Sequence, residues 1–152
     1  MGRVVAALFA TFFLVGSTWA QTPDQVVTGA MGEVAGELQT CSVYYLVGSS
    51  CLTAQRPDLA DTYRAKADKL GDLAIMSGRA AGVSDAAYAA QGSLYAKAMM
   101  KAMDGNCTNI AVLLQRYSDF CQRLSQDADP RLKEWIACIR ARNQTCGGPG
   151  LP

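Results

Sequence analysis

Six cysteines, Cys41, Cys51, Cys107, Cys121, Cys138 and Cys146, constrain this chain more than any other feature, because all of them follow an N-terminal stretch patterned for export. An even cysteine count behind such a stretch implies disulfides made in an oxidising compartment. Bridges then limit the fold to arrangements that bring the sulfurs together in pairs. No two cysteines stand in CxxC spacing, so a thioredoxin-type redox centre and a c-type haem attachment are absent and a zinc ribbon is disfavoured. All six are expected to be structural.

The N-terminal stretch has the three parts of a signal peptide: Arg3, an apolar run from Val4 to Val15, and the exit Gly16-Ser17-Thr18-Trp19-Ala20. Thr18 and Ala20 supply the small side chains a signal peptidase requires, which predicts cleavage after Ala20 and a periplasmic or secreted mature chain. The run is too short to span a bilayer, and no later stretch is long and apolar enough to do so. Residues 1–20 are therefore assigned to the leader, 21–146 to a single domain, and 147–152 to a disordered Gly-Pro tail. The chain carries 14 Lys and Arg against 13 Asp and Glu, and Arg3 leaves with the leader. With no net field, neither nucleic acid nor an anionic membrane surface is implied as a partner.

Between the Gly and Pro punctuation, apolar residues recur at spacings of three and four, and no period-two run bounded by turns competes with them. Thr22, Pro23 and Asp24 form a helix start, and the first helix is expected to run to about Ala54 with a buried stripe of Val27, Met31, Val34, Leu38, Cys41, Tyr45 and Leu52. Tyr44 and Tyr45 are adjacent, so only one of them is expected to face a core. Arg56-Pro57-Asp58 opens a second helix bearing Leu59, Tyr63, Leu70, Leu73 and Ala74, which closes around Gly78 to Gly82. Ser84 caps a third, with Tyr88, Tyr95, Met99 and Met103 inward and Asp104-Gly105-Asn106 as its stop. A fourth helix from Thr108 is strongly two-faced, with Ile110, Leu113, Leu114, Tyr117, Phe120, Cys121 and Leu124 opposite Gln115, Arg116, Asp119, Gln122 and Arg123. Asp129 and Pro130 restart a short fifth helix with Leu132, Trp135, Ile136 and Ile139. The expected fold is all-α, an up-down bundle of four main helices plus a short fifth C-terminal helix, stapled by disulfides.

In such a bundle helices one and four run antiparallel as neighbours. Cys41 precedes Cys51 by ten positions and Cys121 follows Cys107 by fourteen, so Cys41–Cys121 and Cys51–Cys107 are in register to within one turn, and irregular backbone before Thr108 absorbs the offset. Cys138 would then pair with Cys146. A second scheme also fits, in which Cys121 pairs with Cys138 across the Ala128-Asp129 turn and Cys41 with Cys146.

The chain has no histidine. That removes Ser-His-Asp and Cys-His nucleophilic sites, histidine-ligated haem and zinc, and the ligand set of di-iron bundles. Neither S-x-x-K, G-x-S-x-G nor a glycine-rich phosphate loop occurs. Glu33 and Glu37, one turn apart, are the candidate carboxylate pair for acid–base or divalent-cation chemistry, against a plain reading as a solvated face. Met99, Met100 and Met103 are the candidate soft ligands for copper(I), against a reading as core. Asn106-Cys107-Thr108 and Asn143-Gln144-Thr145 match the glycosylation sequon, which matters only for a eukaryotic source. The leading expectation is a non-catalytic binding or interaction protein of the cell envelope, with an envelope protein as candidate partner and no catalytic, metal or cofactor residues assigned. A copper(I)-handling protein and a carboxylate-based hydrolase of envelope glycans are the alternatives.

Overall fold

A computed structural model describes residues 22–141, and within them the chain is helical throughout, with no strand. The expected leader and Gly-Pro tail lie outside the described residues. Helix α1 spans Pro23–Leu52, and its start is built as the sequence implies: the Thr22 hydroxyl accepts the Gln25 N–H while the Gln25 side chain accepts the Thr22 N–H. Thirty residues make it about 45 Å long. It is the hub of the fold, in contact with each of the other four helices.

That central position revises the expected stripe on α1. Val34, Leu38, Cys41 and Tyr45 are buried, but Val27 is exposed, Met31 and Leu52 are half-buried, and Val26, Ala30 and Tyr44 complete the inner surface. Tyr44 and Tyr45 are both buried, because α1 has neighbours on several sides and side chains about 100° apart each find one. The Tyr44 ring packs on Tyr117 at 5.8 Å, and the Tyr45 ring meets Tyr63 edge-on at 5.2 Å.

Helix α2, Pro57–Ala80, returns antiparallel along α1 through a seam of small residues. The Ser49 hydroxyl donates to the Ala60 carbonyl at 2.9 Å, and two turns away the Ser42 hydroxyl donates to the Ala67 carbonyl at 2.7 Å. The Tyr63 ring lies directly on Gly48, where a Cβ would stand 2.7 Å from it, so only glycine admits the ring at this depth. Helix α3, Asp85–Ala102, starts at Ser84, whose side chain accepts the Ala87 N–H, and stops where Asp104 and Gly105 take positive φ. Its polar tie to α1 is the Gln39 amide, which donates to the Tyr88 carbonyl at 2.5 Å.

A short 3-10 turn, Cys107–Asn109, precedes helix α4, Ala111–Gln126. The disulfides Cys41–Cys121 and Cys51–Cys107 fasten α4 and this turn to α1, each with Cα atoms 5.2 Å apart. The turn supplies the irregular backbone that the four-residue offset demands. The rival pairing of Cys121 with Cys138 is thereby overturned: the cysteine faces of α1 and α4 oppose each other directly, and Cys121 is taken by Cys41. Cys138 is also disulfide-bonded, and Cys146 lies outside the described residues. Helix α5, Asp129–Arg140, crosses α1 with Trp135 buried and Ile139 against Gly29.

Candidate functional site

The chain's amphipathic rows meet imperfectly where α5 begins, and this leaves a cleft of about 230 Å³. Met31, Val34 and Leu38 of α1 form its floor, Leu73 and Ser77 of α2 one wall, and Ala128, Asp129 and Leu132 at the head of α5 the other. The lining is apolar apart from the Ser77 hydroxyl and the Asp129 carboxylate. Asp129 opens α5, where its charge is offset by the positive end of the helix dipole.

An ion pair beside the cleft fixes α5 on α1. Glu37, adjacent in sequence to the floor residue Leu38, is only 1% exposed and accepts two hydrogen bonds from Arg131, Nε to Oε2 at 2.8 Å and Nη2 to Oε1 at 2.6 Å. Arg131 adjoins the wall residue Leu132, donates its third nitrogen to Glu134 at 2.7 Å, and lies over the Trp135 ring at 5.1 Å. Its guanidinium is held well above its ordinary value by the bonds to Glu37, which outweigh the effect of burial. A two-pronged pair of this kind sets orientation as well as distance, so the cleft wall is held in one position. The Trp135 indole N–H is buried and has no hydrogen-bond partner among the described residues.

The sequence candidates are dispersed. Glu33 is exposed while Glu37 is buried in its bond to Arg131, so the two carboxylates share neither environment nor task, and the reading of Glu37 as part of a solvated face is corrected. Met99 and Met103 pack into the core and Met100 lies at the surface. Among the described residues no group of three His, Cys, Asp or Glu side chains is placed to hold a metal ion. Asn106 turns its side-chain oxygen back onto the Thr108 N–H, and Cys107 inside that sequon is bridged to Cys51. The second sequon lies outside the described residues.

Sequence reasoning placed Leu38, Leu73 and Leu132 in a core but did not bring them around a cleft, and it passed over Arg131. The available signal was the phase of Glu37, which falls on the same side of α1 as Ala30, Val34 and Cys41. A carboxylate on a core stripe requires a cation, and Arg131, four residues before the buried Trp135, is in the matching position on α5.

A second recess, more open and about 550 Å³ in volume, lies between α2 and α4. Thr62, Lys66 and Lys69 of α2 face Gln122, Ser125 and Gln126 of α4, and no carboxylate lines it. The Lys66 ammonium sits 5.1 Å from the centre of the Tyr45 ring, and the Lys69 ammonium donates to the Ser125 carbonyl at 3.0 Å. Among the described residues neither lysine is in an ion pair, in contrast to Arg56, Arg79 and Arg131, which each hold an acidic partner.

No helix of the described residues is long and apolar enough to cross a membrane, and two buried or half-buried disulfide positions on α1 are consistent with an oxidising environment. Compared with known protein families, curated proteins and solved structures, the chain matches none.

Proposed function

We propose that this chain is the precursor of an exported, non-catalytic binding protein of the cell envelope, released by cleavage after Ala20, and that its ligand site is the cleft between α1, α2 and α5. The observation that carries this reading is an apolar recess with walls from three helices, one of them locked in place by the Glu37–Arg131 pair. A preformed recess of this kind binds without first ordering its walls. Its volume of about 230 Å³ falls below the range of roughly 300 to 1,000 Å³ typical of sites for drug-sized molecules, so it suits a short acyl chain or a single ring. The reading stands ahead of copper(I) handling because Met99 and Met103 are spent on the core. It stands ahead of glycan hydrolysis because Glu37 is committed to Arg131.

The test is displacement of a polarity-sensitive naphthylamine dye by octanol, compared between the mature protein and the cleft-filling variants Leu73→Trp and Ser77→Leu. Filling the cleft should weaken binding at least about tenfold, the loss of about 1.4 kcal/mol of contact, while helical circular dichroism is retained. Unchanged binding in both folded variants would place the ligand elsewhere and refute the proposal.

A further inference from the structure

We infer that the ligand of the cleft is an anionic amphiphile, a short alkyl chain ending in a carboxylate or phosphate, whose head is held by Lys66 and Lys69. The inference rests on the cleft reading and adds to it the chemistry of the head group.

The two recesses are consecutive along one face of α2. Lys66, Lys69, Leu73 and Ser77 follow one another at steps of three, four and four, which is a single row on an α-helix. The first two residues line the polar recess and the last two the apolar cleft. Leu73 lies about 6 Å along the axis from Lys69, one turn. The opposite bank is continuous as well: Gln122, Ser125 and Gln126 end α4, and Ala128 and Asp129 begin α5 two residues later.

The charges in this trough have a direction. Both ammonium groups are positioned by the protein, one over the Tyr45 ring and one on the Ser125 carbonyl, yet each retains donors for a ligand and neither has a carboxylate partner among the described residues. The Gln122 and Gln126 side-chain amides make no hydrogen bond among the described residues and face the same space. An oxyanion entering there meets two cations and two amide donors. The other end of the trough offers no such reception, because the Asp129 carboxylate in its lining has the same sign as the head. An alkyl chain lying over Leu73 and Leu132 therefore has one end at which a charged head is welcomed, and the sign required of that head is negative.

The experiment measures binding of octanoate, octyl phosphate, octanol and octylamine to the mature, disulfide-intact protein at low salt, and to the Lys66→Gln/Lys69→Gln double variant. Octanoate or octyl phosphate, or both, should bind about tenfold or more tightly than octanol, with the better of the two naming the head group. The double variant should lose that preference and keep octanol affinity unchanged. Equal binding of octanol and both anions, a preference for octylamine, or an anion preference that survives in the double variant would each overturn the inference and leave the cleft reading standing. Failure of all four probes to bind would overturn both.

Discussion

Removing Arg131 should damage this protein far more than its position on a short peripheral helix suggests. In Arg131→Ala, Glu37, 1% exposed with Arg131 in place, loses both hydrogen bonds and is left as a largely buried, uncompensated carboxylate. Taking away one partner of a buried pair costs about 3 to 5 kcal/mol. The 18% exposure of the Arg131 side chain argues for the lower end, and the lost contact with the Trp135 ring adds about 0.5 to 1 kcal/mol. The sum, about 4 kcal/mol, is a large part of the 5 to 15 kcal/mol that typically holds a domain together. Urea denaturation followed by circular dichroism, with disulfides intact, reads it as a midpoint lowered by about 2 M for a slope near 2 kcal/mol per M. Glu134→Ala, which removes only the exposed partner, should cost less than about 1 kcal/mol. The double variant Glu37→Leu/Arg131→Leu should recover most of the loss, since no buried charge is left behind. A loss below about 1 kcal/mol in Arg131→Ala, or a double variant no more stable than the single one, would show that the pair does not organise α5.

Gly48→Ala should destabilise by about 1 to 3 kcal/mol, because the new Cβ would stand 2.7 Å from a Tyr63 ring hemmed in by Tyr44 and Tyr45, whereas Gly36→Ala, with nothing within 4 Å, should stabilise by about 0.5 to 1 kcal/mol; thermal melts of the two compare them directly. Brief treatment with a phosphine reductant followed by alkylation and peptide mapping should label Cys51 and Cys107 before Cys41 and Cys121, since Cys107 is exposed and both sulfurs of the other bridge are buried. Burial raises the Tyr44 phenol well above its ordinary value, and burial with the nearby Asp72 charge pushes Tyr88 up to about 12. The folded chain thus holds protons that the unfolded chain releases near pH 10, so their contribution is complete below about pH 10 and is lost as pH rises towards 12. Tyrosinate absorbance should rise together with loss of helical signal, and ionisation of all tyrosines near pH 10 with the helices intact would refute this.

The helix starts were legible because their chemistry is local: Thr22 with Gln25, Ser84 with Ala87 and Pro57 each act within one turn. Helix α4 was legible because one apolar face is buried, with Leu113, Tyr117, Cys121 and Leu124 at successive turns, although Leu114, expected on that face, is exposed. The cysteine spacing left two pairing schemes open, and the bridges Cys41–Cys121 and Cys51–Cys107 select the one with α1 and α4 in antiparallel register. Helix α1 resisted the same treatment because it is surrounded, and a helix with neighbours on most sides carries little periodic signal to read. The cleft was hidden for another reason. It is the space where α1, α2 and the head of α5 meet, and a void is a property of three helices together, not of any one sequence segment. Glu37 was misjudged because carboxylates one turn apart on a helix are ordinary at a surface, and its distant partner lies 94 positions along the chain.

The length and rigidity of α1 bear on how the correct bridges are chosen during synthesis. Cys41 and Cys51 emerge long before any other cysteine, and on a coiled chain they would be the natural first couple to oxidise. Once α1 has formed, ten residues of helix hold their backbones about 15 Å apart, more than twice the reach of a disulfide. The helix therefore acts as a spacer that keeps both thiols waiting. The two bonds are nested, Cys51–Cys107 inside Cys41–Cys121, so the partner in the inner bond, Cys107, also comes first in the chain.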